Sequence, residues 1–151
     1  MSFFNKVLNN VEEESLREEL QQRVDIIGHK IKFMEKVPVS CLDLENWSSL
    51  TLSEIITAAG GVLQEDPAQS RVVIYHEPNA SLVEMMGVVP SLLSPEWPAV
   101  EFNRLYLAEN DSVAGGDPEV LVTALEDIAE MLYPGYFVFG NEGKTWMSFG
   151  T

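Results

Sequence analysis

Apolar residues in the N-terminal part of the chain recur with helical spacing. Four of them fall on one helical face, at intervals of four, four and three residues: Leu16, Leu20, Val24 and Ile27. Beyond Gly28 the pattern suits a continued helix and a strand about equally, so periodicity alone does not decide. Because glycine costs about 1 kcal/mol inside a helix and is favourable just past its end, we expect a helical segment at 2–28 and a strand at 30–37.

Further along the chain, short runs of β-branched and aromatic residues predict strands. These runs lie at 61–64, 71–76 and 100–108, and a last pair at 136–139 and 144–149 is joined by Gly-Asn-Glu-Gly. A short glycine-containing connection between two apolar runs is typical of a hairpin. We therefore predict a β-hairpin at the C-terminal end.

Three positions carry the chemistry that begins a helix. The tetrapeptides Thr-Leu-Ser-Glu at 51–54 and Ser-Leu-Val-Glu at 81–84 match a capping box, in which hydroxyl and carboxylate satisfy each other's backbone donors. Asp117 followed by Pro118 gives a capping side chain and then proline at the first helical position. A long helix at about 117–132 follows, with four apolar residues on its inner face: Leu121, Leu125, Ile128 and Leu132.

The order of these elements defines the expected fold. Helices come first, then strands interspersed with short helices, then the long helix and the hairpin. We predict a single α+β domain over 1–151, with a mostly antiparallel sheet and with the N-terminal helices and the long helix packed on one face. A chain of this length buries about 68–70% of its unfolded surface, so it folds without a disulfide or a metal.

Composition narrows the class of protein and the cellular compartment that we expect. The chain has 151 residues, a hydrophobic fraction of 46% and a single cysteine, Cys41, which excludes an internal disulfide. Its first residues lack the basic start and apolar run of a signal peptide. No stretch approaches the ~18–20 apolar residues of a membrane span. We expect a cytoplasmic protein with no membrane partner.

Charge is the most unusual property of the sequence. Nine Lys and Arg oppose 24 Asp and Glu, for a net charge of −15, and residues 37–151 carry −14 of it. Intrahelical pairs such as Glu13–Arg17 balance part of the N-terminal segment, whereas the later acids have few cations to pair with. A field of this sign repels phosphate, which argues against nucleic acid and favours a basic protein partner.

The acids of the 109–130 segment are the predicted contact surface, because they lie outside the apolar stripe of the long helix. Trp97 belongs to a proline-framed stretch at 90–98, and tryptophan is over-represented among interface hot spots. The competing interpretation is that this stretch folds back on the core as a lid. The residues predicted to contact the partner are Trp97, Glu109, Asp111, Glu119, Glu126, Asp127 and Glu130.

Gly143-Lys144-Thr145 matches the end of a phosphate-binding loop. That loop needs a glycine five positions before Gly143, where Val138 stands, and a helix after Thr145, for which too few residues remain. A turn glycine followed by a strand lysine explains the three residues better.

The residues suited to catalysis or metal binding are scattered. His29, His76 and Cys41 share no ligand or catalytic spacing. One acidic cluster lacks the spacing of a calcium loop: Glu109, Asp111, Asp117 and Glu119. We therefore expect no cofactor, no metal and no catalytic residue.

These observations favour a non-enzymatic protein that neutralises or escorts a basic partner. Opposed charge raises association rates by about 10–10³, and apolar anchors then hold the complex. The preferred version is an immunity-type (antitoxin) protein that occludes a basic toxin or effector, as a monomer or homodimer. The alternatives are a secretion chaperone, a small hydrolase without a recognisable motif, and an inhibitor that mimics nucleic acid.

Overall fold

A five-stranded sheet is the central element of the chain, in a computed structural model that describes residues 2–109 and 116–149. The strands follow one another spatially in the order β2-β1-β3-β4-β5. The first four are parallel to their neighbours, and only β5 runs antiparallel, against β4. The strands are β1 (Val37–Leu42), β2 (Gly61–Leu63), β3 (Val72–Tyr75), β4 (Leu105–Ala108) and β5 (Trp146–Ser148).

Helices are interleaved with these strands. In the described residues they are α1 (Ser2–Asn9), α2 (Glu14–Ile31), α3 (Ser53–Ala58), α4 (Leu82–Val88), α5 (Pro98–Glu101) and α6 (Pro118–Leu132). Single 3₁₀ turns occur at Pro67–Gln69 and Val89–Leu92. None of the helices over these residues is long and apolar enough to cross a bilayer.

The chain combines α and β elements as expected, but the prediction of a mostly antiparallel sheet is wrong. Helix α3 lies between β1 and β2, while α4 and α5 lie between β3 and β4. A helix between two strands carries the chain back across the sheet, so the second strand runs parallel to the first. The sheet is therefore mixed and mostly parallel, with its last strand reversed.

Helices cover both faces of the sheet rather than one. Side chains alternate along β3, so Val72 and Ile74 join one apolar cluster while Val73 and Tyr75 join another. The first cluster lies under α1, α2, α3 and α6, and the second under α4 and α5. A strand buried on both faces reads as a continuous apolar run, which is what 71–76 is.

The prediction that the helix ends near Gly28, with a strand at 30–37, is wrong. Helix α2 continues to Ile31, and β1 begins only at Val37. Ile31 is buried in the same cluster as Val24 and Ile27. Burying such a side chain contributes about 1.5–3 kcal/mol, which exceeds the cost of a glycine within the helix.

The predicted C-terminal hairpin is also wrong. Residues 136–139 form no strand and contribute only an isolated bridge between Pro134 and Phe137. Strand β5 pairs with β4 instead, through the register Leu107 to Met147. Pairing with an existing sheet buries the strand on the core, which a free two-stranded hairpin does not achieve.

The helix-start signals were more reliable. Ser81 and Glu84 form the complete capping box at α4, and the Asp117 carboxylate accepts from the Glu119 N–H at α6. The third signal, at 51–54, gives a helix that begins at Ser53 without a side-chain cap. The run at 100–108 divides into the end of α5 and strand β4.

Candidate functional site

Two of the acids predicted to contact a partner are buried in the protein. Glu126 is 8% exposed and Asp127 is fully buried, so the expectation that they face outward is wrong. Arg23 holds Glu126 in a two-pronged ion pair, with Nη2 to Oε1 at 2.6 Å and Nε to Oε2 at 3.1 Å. The same hydrogen bond raises the pKa of Arg23. This pair joins α2 to α6.

Asp127 connects α6 to the loop that precedes β5. Its two oxygens accept hydrogen bonds from Asn141 Nδ2 at 3.0 Å and from Thr145 Oγ1 at 2.6 Å. Burial raises the pKa of Asp127, the two hydrogen bonds oppose that rise, and the charges of Glu126 and Glu130 add to it. This carboxylate is a structural tie between helix and loop.

The other residues predicted to contact a partner have different roles in the structure. Glu130 accepts from the Phe139 N–H at 2.8 Å, and Glu109 accepts from the Leu82 N–H at the start of α4, also at 2.8 Å. Trp97 packs partly buried against the second cluster, as a lid would. Glu119 is exposed, and Asp111 lies outside the described residues. A role in partner contact stays a prediction for these residues.

A different apolar and acidic surface follows strand β1. The Asp43 carboxylate accepts from the N–H groups of Glu45 at 2.8 Å and Trp47 at 3.0 Å, and the Asp43 N–H donates to the Trp47 carbonyl at 3.0 Å. Asn46 completes this turn in the left-handed region, with φ 62°. The turn is thus fixed at three points, and it holds Trp47 at 69% exposure and Leu50 at 74%.

Leu50 lies between two cavities. One of ≈ 430 Å³ separates α1 from the starts of α3 and α6, and its apolar wall includes Phe3, Val7 and Leu121, with Glu54 beside them. The other, of ≈ 220 Å³, includes Ser48, Ser49 and Glu65. We use the name Trp47 surface for this region, defined by Asp43, Glu45, Trp47, Leu50, Glu54 and Glu65.

The Trp47 surface has an excess of negative charge, although its Glu54 also lines a neighbouring cavity with Lys32 and Lys36. It holds four carboxylates, and no Lys or Arg lines either cavity among the described residues. The ion pairs of the described chain lie elsewhere, at Arg23–Glu126 and Arg71–Glu35. Two exposed apolar side chains near carboxylates that form no ion pair in the described part of the chain suit an interface with an apolar centre and a charged rim.

The protein fills the crevice where ligands usually bind in parallel sheets. That crevice lies at the carboxyl ends of β1 and β3, because the chain leaves β1 toward one face and β3 toward the other. Here Asn46 bridges it, accepting from the Tyr75 hydroxyl at 2.7 Å and donating to the Leu92 carbonyl at 2.7 Å. The polar groups at this point are engaged within the protein.

The single cysteine and the two histidines differ in their exposure. Burial and the nearby Asp43 charge raise the pKa of Cys41 to about 12, so its thiol stays protonated at neutral pH. His76 is buried, whereas His29 is exposed. Over residues 2–109 and 116–149, no three His, Cys, Asp or Glu side chains are grouped as metal ligands.

Sequence reasoning missed the Trp47 surface although a signal was present. Polar residues follow both β1 and β3, at Asp43-Leu-Glu-Asn46 and His76-Glu-Pro-Asn79. The segments that follow neighbouring parallel strands meet at the same end of a sheet. A parallel strand order would therefore have predicted a polar surface there, with Trp47 between the segment after β1 and helix α3.

Comparison with known proteins leaves the function open. No protein-family model matches the sequence, no curated protein is significantly similar to it, and no solved structure matches the fold significantly.

Proposed function

We propose that the chain is a non-enzymatic binding protein that captures a basic protein partner on the Trp47 surface. The observation that carries the proposal is the joint exposure of Trp47 and Leu50 on a turn whose hydrogen bonds fix its shape. A backbone turn that is already fixed in the free protein loses little freedom on binding, which favours affinity.

The surrounding carboxylates supply the attraction. Asp43, Glu45, Glu54 and Glu65 present one sign of charge next to the apolar anchors. A positively charged partner would be steered toward this surface, and its apolar residues would then cover Trp47 and Leu50. The net charge of −15 adds a long-range attraction for the same positively charged partner.

An immunity-type role is the version of this function that we favour. A protein that neutralises a basic toxin needs fast association and a rigid occluding surface, and both properties follow from the Trp47 surface. A secretion chaperone would need a long apolar groove for an unfolded client, whereas the larger cavity beside Leu50, of ≈ 430 Å³, is the size of a small-ligand pocket.

The test compares two doubly substituted proteins as bait in an extract of the source cell. Trp47→Ser with Leu50→Ser removes the anchors, and Val83→Ser with Phe102→Ser removes two equally exposed apolar side chains elsewhere. We expect the wild type and the second variant to recover the same basic protein, and the first variant to lose it.

The recovered protein then decides the immunity role. Co-expression with the wild-type chain should abolish any toxicity of that protein, and the Trp47/Leu50 variant should fail to protect. Equal recovery by both variants, or a recovered partner of acidic charge, would contradict the proposal.

A further inference from the structure

An exposed apolar patch lies where the end of α2 meets the segment after α6. Phe33 is 93% exposed and Ile26 is 54% exposed, although phenylalanine and isoleucine are among the residues most often buried. Tyr136 and Val138, in the segment after α6, are exposed as well. We call this surface the Phe33 patch, defined by Ile26, Phe33, Tyr136 and Val138.

Lys30 joins the two parts of the patch. It follows Ile26 by four residues and precedes Phe33 by three, and these are the spacings that bring side chains together along a helix. Its Nζ donates to the Tyr136 carbonyl at 2.9 Å and lies 5.2 Å from the centre of the Phe137 ring. The apolar side chains of the patch therefore lie around a single lysine that the fold holds in place.

The segment after α6 is anchored by its alternate residues. Phe137 is buried, and its ring stacks on that of Phe139 with the centroids 5.7 Å apart. Phe139 is packed against the first apolar cluster. Tyr136 and Val138 alternate with these rings and face solvent, so the patch rests on a packed base.

The charge of α2 and the residues that follow it differs from that of the rest of the protein. Residues 14–36 hold five acids and five bases, so this segment is neutral in a chain of net charge −15. Two copies of such an acidic chain repel each other at long range, and the repulsion is weakest where neutral surfaces approach. The α2 face is therefore a surface on which two copies can meet.

Opposite charges lie at the two ends of one edge of this face. Glu18 and Lys32 are fourteen residues apart, or almost four helical turns, and neither forms an ion pair within the described chain. Lys32 Nζ lies 5.4 Å from the centre of the Phe33 ring, so its charge borders the patch. Asp25, midway along this edge, accepts from Gln21 of its own helix at 2.8 Å.

This arrangement is complementary to itself when it is reversed. A second α2 laid antiparallel on the exposed face brings Glu18 of each copy opposite Lys32 of the other. Ile26 lies near the midpoint of these two residues, so it meets Ile26 of the second copy. A two-fold axis makes every such contact twice, which is the usual symmetry of a protein dimer.

We propose that the protein forms a two-fold symmetric dimer in which the Phe33 patches and the exposed faces of α2 meet in antiparallel orientation. The apolar side chains of the patch form the centre of the interface, and the contacts between Glu18 and Lys32 lie on its rim. Phe33 precedes β1 whereas Trp47 follows it, toward opposite ends of that strand. The dimer therefore leaves both Trp47 surfaces open to other partners.

Sedimentation equilibrium of the intact chain tests the dimer. We expect the average mass to rise from that of one chain at micromolar concentration to that of two chains toward millimolar concentration, because four apolar side chains from each copy make a small interface. Trp47→Ser with Leu50→Ser should give the same rise, since the Trp47 surface lies outside the interface. A wild type that stays monomeric, or a dimer that this variant abolishes, overturns the proposal.

A matched pair of apolar variants locates the interface. Ile26→Ser with Phe33→Ser should weaken dimerisation at least about 10-fold, because it removes apolar area from the centre of the contact. Val83→Ser with Phe102→Ser removes two exposed apolar side chains elsewhere and should leave the dissociation constant unchanged. Equal dissociation constants for the two variants would show that the copies do not meet at the Phe33 patch.

Charge reversal tests the antiparallel direction without removing apolar area. Glu18→Lys and Lys32→Glu should each weaken self-association about 10-fold, because like charges then oppose each other twice across the two-fold axis. An equimolar mixture of the two variants should recover a dimer of wild-type affinity, since each contact again joins opposite charges. Unchanged self-association of either variant, or a mixture as weak as its components, overturns the proposal.

Discussion

Helix α6 and the turn at 43–50 both carry acidic residues, but the fold uses them in opposite ways. Glu126 and Asp127 of α6 are buried and are held by Arg23, Asn141 and Thr145. In the turn, the Asp43 carboxylate shapes the backbone while Glu45 and Trp47 face solvent. A count of acids therefore locates neither free charge nor a binding surface. What matters is whether the fold already supplies each acid with a partner.

Removing a buried acid should give the largest effect on stability. Glu126→Ala leaves the Arg23 guanidinium partly buried without its partner, and we expect a loss of about 2–4 kcal/mol in the free energy of unfolding, measured by urea denaturation. The matched variant in the turn, Glu45→Ala, should change it by less than about 0.5 kcal/mol. Equal losses of unfolding free energy in the two variants would show that the acids of α6 and of the turn do not differ in how the fold holds them.

The buried carboxylate of Asp127 should make stability fall as pH rises. Its folded pKa is raised above the ordinary aspartate value of 3.8, so the native state binds a proton more tightly than the unfolded chain does. Stability from this group is therefore present below pH 3.8 and is lost as pH rises through the folded pKa.

Asp127→Asn isolates that contribution. Because the amide does not titrate, the stability difference between wild type and variant should favour the wild type most at low pH and shrink toward neutral pH. Thermal unfolding of both proteins at matched pH values measures it. A difference that is constant across this range would show that Asp127 does not titrate differently in the two states.

The charges of the Trp47 surface should act on association rate. Replacing Glu45, Glu54 and Glu65 by Gln should slow association with the basic partner several-fold at low salt, with little change at high salt, because screening removes the same attraction. Surface plasmon resonance at two ionic strengths measures this. The control replaces Glu14, Glu18 and Glu19 on α2 by Gln, which removes equal net charge. A similar slowing by the control would assign steering to net charge alone.

The anchors themselves should have the smallest effect on the fold. Trp47→Ser should leave the free energy of unfolding within about 0.5 kcal/mol of wild type, because the exposed ring contributes little to the core. Calorimetric unfolding of the variant checks this. A loss of several kcal/mol would mean that Trp47 belongs to the core and is not available to a partner.

Local chemistry in the sequence predicted local structure well. The caps at Ser81 and Asp117 gave the starts of α4 and α6, because capping depends only on residues within one turn. Gly28 does not end helix α2, since the burial of Ile31 against distant residues outweighs the local cost of a glycine. The predicted antiparallel direction of the strands is wrong because α3, α4 and α5 are crossovers between parallel strands.

The candidate sites depended on contacts that sequence does not display. Glu126 meets Arg23 across 103 positions, so its burial could not be read from its place on a helix. The rings of Tyr106 and Trp146 meet only because β5 pairs with β4. Trp47 was within reach of prediction, because it lies in a polar segment where a large ring has no helical or strand pattern to join.

The two outermost strands of the sheet, β2 and β5, are each three residues long. A sheet's outer strand offers backbone groups that recruit strands of other molecules, and shortness limits the recruitment. Exposed apolar side chains usually endanger a protein at high concentration, since they bring copies together and let strand edges template a fibre. Here each edge strand offers only three residues as a template, so the fold limits that hazard although Trp47 and Leu50 are exposed.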